Sequence, residues 1–135
     1  MDTLTPLERS ARMRLVKSRD TKPELELRRI VWGLGYRYRK NRRDVTGRPD
    51  MAFVGRRRAI FLHGCFWHRH DCGSGRRAPK SRTDFWHAKF ERNVQRDALV
   101  LAELKTAGWR ALVIWECELA DHSRVERRIR TFLDA

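Results

Sequence analysis

The sequence predicts an α/β domain in which a mixed central sheet is flanked by helices. Two observations lead there. Apolar residues recur at helical spacing near residues 22–35, 83–107 and again toward the C-terminus, while short apolar runs of strand length lie between them. The resulting order of helix, several strands, long helix, strand and helix places helices against a sheet rather than against each other alone. A length of 135 residues fits one domain. Residues 21–135 are read as that domain and 1–20 as a flexible basic arm.

The elements follow in order. Thr21-Lys22-Pro23-Glu24 has the form of a capping box with proline early in the first turn. A helix follows through Leu25, Leu27, Ile30, Val31 and Leu34, ending at Gly35. Tyr36 to Tyr38 begin a strand. Asp50 to Val54 and Ala59 to His63 read as two strands joined by Gly55-Arg56-Arg57. A long helix runs from Thr83-Asp84 to Ala107, closed by Gly108, with Trp86, Phe90, Val94, Leu101 and Leu104 at helical spacing. The unbroken apolar run Ala111-Leu112-Val113-Ile114-Trp115 predicts a central, fully buried strand. The last helix is expected to start at Ser123, capped with Glu126, and to bury Val125, Ile129 and Phe132.

Charge narrows the class of partner. Lys and Arg total 31 against 17 acids, a net charge of +14. Residues 1–92 hold 24 basic and 10 acidic side chains, whereas residues 93–135 hold seven of each. A one-sided excess of this size points to a polyanion, and nucleic acid is the first choice. No apolar run approaches the roughly 20 residues that cross a bilayer, and Met1 to Ser10 has no apolar signal core. A soluble, cytoplasmic protein without a membrane partner is expected.

Three cysteines exclude a full disulfide framework. Cys65, His70 and Cys72 lie within eight residues, and Cys117 is the only other thiol. Together they make a complete Cys₃His set for tetrahedral zinc. A closed set leaves no open position, so this zinc is expected to be structural. The bland reading, three buried cysteines beside surface histidines, fits Cys117 but not the hydrophilic segment around residue 65.

The chemical centre is expected nearby. Gly47-Arg48-Pro49-Asp50 opens one strand and Phe61-Leu62-His63-Gly64 closes the next. Adjacent strands put Asp50 within reach of the residue 62 backbone. A carboxylate and a carbonyl oxygen are the hard ligands that magnesium prefers. His63 and His68 lie on either side of Cys65, so a fixed loop allows one of them to act as general base on water. Spacing alone also permits Asp50 as a strand-start turn residue and His68 as a solvated loop histidine.

Gly47-Arg48-Pro49-Asp50 with Phe61-Leu62-His63-Gly64-Cys65-Phe66-Trp67-His68-Arg69-His70-Asp71-Cys72 closely resembles the very-short-patch repair (Vsr) endonucleases. So do Arg82-Thr83-Asp84-Phe85-Trp86, Asn93-Val94 with Arg96-Asp97, and Gly108-Trp109-Arg110 through Trp115-Glu116-Cys117. The matches keep the family's order across residues 8 to about 120. The resemblance implies a fold related to restriction endonucleases. It also implies nicking of one DNA strand 5′ to the thymine of a T·G mismatch left by 5-methylcytosine deamination. Asp50 would bind magnesium with the Leu62 main-chain carbonyl, His68 would be the general base, and His63 and Glu24 would assist. Glu24 has a competing role as the third residue of its capping box.

The resemblance further implies that Phe66, Trp67 and Trp86 wedge into the base stack beside the mismatch. Trp86 in register with Phe90 also reads as a core residue. The basic stretch of Arg9, Arg12, Met13, Arg14, Lys17 and Arg19, together with Arg48, is expected to contact DNA; a solvated tail is the plain alternative for the stretch. Double-stranded DNA is the expected partner, with monomeric action and a functional link to a cytosine-5 DNA methyltransferase. The chain departs from the family motif at Leu62, where threonine is expected, and in a Gly-rich, basic segment after Cys72. Competing functions are a restriction-associated or relaxed-specificity nickase of the same fold, a non-enzymatic zinc-stabilised DNA-binding module, and a nuclease whose metal is held by His63 and His68.

Overall fold

The computed structural model describes residues 21–65, 68, 70, 72 and 83–134. Helix α1 spans Lys22–Gly33, strand β1 Arg39–Lys40, β2 Met51–Phe53, β3 Arg58–His63, helix α2 Thr83–Thr106, strand β4 Arg110–Trp115 and helix α3 His122–Leu133. Single 3₁₀ turns lie at Val54–Arg56 and Glu116–Ala120. The sheet order is β1-β2-β3-β4. β1, β2 and β3 pair antiparallel, while β3 and β4 are parallel and joined through α2. The expected mixed sheet with flanking helices is present. No helix among the described residues is long and apolar enough to cross a membrane.

Alternation along the strands assigns the two faces. Met51, Phe53, Ile60 and Ile114 point to a core shared with Leu27 and Val31 of α1 and Val125, Ile129 and Leu133 of α3. Ala52, Ala59 and Phe61 point the other way, against Leu104 and the half-buried Val100 and Leu101 of α2. Arg56 donates to the Leu133 carbonyl at 2.7 Å, which ties the β2–β3 turn to the end of α3.

Three expectations need correction. β4 is the outer strand among the described residues, and only Ile114 in it is fully buried. An apolar run shows that both faces are covered, but not whether both edges are. The last helix starts at His122, and its cap is Asp121, whose carboxylate accepts from the Arg124 amide at 3.1 Å. Leu133 rather than Phe132 completes its buried face. At α1 the expected cap holds: Thr21 accepts from the Glu24 amide at 3.5 Å. The Glu24 carboxylate, however, takes Arg28 as partner at 3.1 Å, so the two local demands on this residue are separated.

Gly47 fixes the approach of the Gly47-Arg48-Pro49-Asp50 turn to α2. Its φ is +80, and an added Cβ would lie 2.3 Å from Val100 Cγ1 and 3.3 Å from Phe61 Cε1. Gly35 has φ +96 with nothing within 4 Å. Gly47→Ala is therefore expected to lose about 2–4 kcal/mol from overpacking and backbone strain together, against about 1–2 kcal/mol from strain alone for Gly35→Ala. Urea unfolding of the two variants checks this, and equal losses would sink the packing argument.

Candidate active site and metal centre

The parallel register of β3 and β4 builds both sites at one end of the sheet. His63 lies opposite Trp115. Two residues further along each chain stand Cys65 and Cys117, so two thiols 52 positions apart in sequence leave the sheet side by side. Two backbone hydrogen bonds tie described residues beyond β3 to its end. The His68 amide donates to the Gly64 carbonyl at 3.1 Å, and the His70 amide to that of Cys65 at 3.0 Å.

These turns bring Cys65, His70, Cys72 and Cys117 together, with one ligand atom from each within 4.8 Å of all the others. Cys117 Sγ is 3.5 Å from His70 Nδ1. A tetrahedral metal with sulfur at about 2.3 Å and nitrogen at about 2.0 Å sets those two donors about 3.5 Å apart. The four donors thus fit a tetrahedral metal ion. Burial, followed by crowding against the Cys117 and Cys72 sulfurs, pushes the Cys65 thiol up to about 12. A bound cation would reverse that preference by holding the thiolate.

Asp50 sits just before β2, where the Leu62 amide donates to its Oδ2 at 2.6 Å. The expected contact with the residue 62 backbone is therefore made, through the N–H group. Burial raises the Asp50 carboxyl to about 6, and Glu24 adds to the shift, against the pull of the Leu62 amide and Arg28. Glu24 thus faces a poorly solvated Asp50, with Arg28 offsetting part of the negative charge. Two carboxylates of this kind are the hard oxygen donors that a divalent cation takes.

His63 and His68 stack with ring centroids 4.0 Å apart and an interplanar angle of 7°. Asp97, reaching across from α2, is 2.5 Å from His68 Nδ1 and 3.9 Å from His63 Nδ1. Burial first, then the adjacent His68, pushes His63 down to about 4 despite Asp97. Asp50, Leu62, His63, His68 and Asp97 all line one cleft of about 560 Å3, with Arg43, Arg48 and Arg96 along it. Sequence reasoning did not assign Asp97 a role. Its only signal was its place in the Arg96-Asp97 match, since nothing local pairs it with a histidine 29 positions earlier.

Arg48 is exposed on the cleft, with φ 48. Trp86 is half-buried and stacks on Phe90 at 6.0 Å, with Lys89 Nζ 5.6 Å from its ring. Phe66, Trp67, Arg9, Arg12, Met13, Arg14, Lys17 and Arg19 lie outside the described residues.

Residues 1–74 match the family described as DNA mismatch endonuclease Vsr. This chain belongs to the Vsr endonuclease family. It is 45% identical over 133 residues to the type II nicking enzyme V.XorIIP of Xanthomonas oryzae pv. oryzae, covering 98% of this chain and 97% of that one. Type II nicking enzyme V.NmeAIP of Neisseria meningitidis is 39% identical, covering 99% and 98%. DNA mismatch endonuclease Vsr of Escherichia coli K12 is 39% identical over 117 residues, covering 87% and 74%. The protein is thus an endodeoxyribonuclease of the Vsr family, and its non-enzymatic rival is excluded.

Proposed function

We propose that this Vsr-family enzyme is a magnesium-dependent nickase that cuts one strand 5′ to the thymine of a T·G mismatch, starting very-short-patch repair. The observation that supports it most is the meeting in one cleft of a poorly solvated Asp50 and an Asp97-held His68. Relatives named as nicking enzymes and as a mismatch endonuclease support the strand-cutting and mismatch parts of the reading. We assign the fold to the restriction-endonuclease type, with residues 21–135 as the catalytic domain and 1–20 as a basic arm along the duplex. Cytoplasmic, monomeric action beside a cytosine-5 DNA methyltransferase completes the reading.

The residues divide the work by chemistry. Asp97 accepts the Nδ1 hydrogen of His68, which leaves Nε2 with a lone pair to take a proton from the attacking water. The same carboxylate then steadies the imidazolium. His63, kept neutral by burial, adds no positive charge against that protonation. Asp50 and the Leu62 main-chain carbonyl would hold magnesium, with Glu24 beside them anchored by Arg28. Magnesium there would supply charge stabilisation at the phosphate and at the leaving oxygen. Arg43, Arg48 and Arg96 draw the phosphate backbone to the cleft. Cys65, His70, Cys72 and Cys117 would hold a structural zinc, which fixes the segment bearing His68. Phe66, Trp67 and Trp86 would enter the stack where poor pairing lowers an unstacking cost of a few kcal/mol.

A panel of end-labelled duplexes with magnesium tests the reading, comparing T·G with T·A in several flanking contexts. Nicking confined to the thymine strand of T·G is expected. Equal cutting of matched and mismatched duplexes would replace it with a relaxed or restriction-associated nickase. One further observation favours a second reading: His63, His68 and Asp97 offer ligand atoms within 4.8 Å of one another, a set able to hold a metal ion itself.

A further inference from the structure

A second groove, of about 740 Å3, runs beside β1, an outer strand among the described residues. Arg37, Arg39, Arg42 and Arg56 line it together with Trp32 and Val54, and among the described residues no acidic side chain does. Trp32 is 51% exposed and Val54 45% exposed, although both are apolar and neither sits on a core face. Arg37 is held in place, its guanidinium carbon 3.5 Å from the Trp32 ring centroid and its Nη1 donating to the Trp32 and Tyr36 carbonyls at 3.2 Å. Those bonds use Nη1, and a guanidinium has five hydrogens to give. Arg42 is bound by Asp44 at 2.6 Å, so Arg37, Arg39 and Arg56 supply the unbalanced charge.

We propose that this groove is a second contact site for DNA, taking phosphodiesters of the duplex after it leaves the cleft. Consecutive residues, Arg43 and Arg42, line the cleft and the groove, so the two share a rim. From Asp50 to Val54 the strand advances about 13 Å, which matches about four base-pair steps along a duplex. Basic residues on an edge strand also discourage strand-to-strand aggregation. That role needs no exposed tryptophan and no guanidinium clamped upon it. A cationic surface with an apolar floor fits a sugar-phosphate backbone.

The test uses a fully matched duplex of two helical turns, so that it stands apart from any mismatch preference. Arg39→Glu is expected to weaken binding several-fold and to reduce the slope of log Kd against log salt by about 1. Arg127→Glu, the same charge change on the exposed side of α3, should leave the slope within error. Trp32→Ala is expected to weaken binding by freeing Arg37, and Trp32→Phe to restore it. Unchanged affinity and slope for Arg39→Glu, or an equal loss for Arg127→Glu, would overturn the assignment. Competition by a single strand stronger than by duplex would overturn the duplex part of it.

Discussion

Asp50→Asn is expected to bring nicking near the detection limit while making the metal-free protein more stable above pH 6. The loss follows if Asp50 holds the ion that stabilises charge at the phosphate, a contribution of several kcal/mol and hence roughly 10³-fold or more in rate. The gain follows from linkage. Asp50 is raised in the fold from 3.8 to about 6, chiefly by burial. Its ionised form is therefore disfavoured in the folded state, a penalty absent below 3.8 and complete above about 6. For a half-buried carboxyl that penalty is on the order of 2 kcal/mol after allowance for solvent. Asparagine removes it and can still accept from the Leu62 amide. Thermal unfolding at pH 8 and pH 4, with and without magnesium, reads the effect. Magnesium should raise the parent's Tm and not the variant's. Retained cleavage would instead place the ion on His63, His68 and Asp97.

Removal of zinc is expected to have the largest effect on the fold. Structural zinc contributes on the order of 10 kcal/mol, comparable with the whole net stability of a domain, about 5–15 kcal/mol. The purified protein should hold one zinc equivalent by elemental analysis. A strong chelator, or Cys117→Ala, should lower the Tm by about 20 °C or more and abolish nicking together with it. The activity falls because the turns carrying His68 to Asp97 lie between Cys65 and His70. Protein that contains no metal, or a Tm indifferent to the chelator, would overturn the assignment.

Several particulars explain what could be read in advance. The grouping of Cys65, His70, Cys72 and Cys117 was legible because cysteine and histidine are scarce, and three of the four lie within one short segment. Contact between Asp50 and residue 62 was legible because a tight turn fixes antiparallel register. Asp97 was not, because it meets His68 only after the chain has crossed from β3 through α2. The outer position of β4 among the described residues was hidden for a related reason, since hydropathy reports covered faces and not hydrogen-bonded edges.

Residue type and near spacing alone carry the element order, the basic composition, the grouping of Cys65, His70, Cys72 and Cys117, and the contact of Asp50 with residue 62. The tertiary structure alone shows which carboxylate meets His68, that Glu24 turns to Arg28 beside Asp50, and that four arginines line one groove with Trp32. These depend on strand register and on how α1 and α2 lie across the sheet. Such relations arise from burying both faces at once, a condition on the whole chain that no local pattern contains.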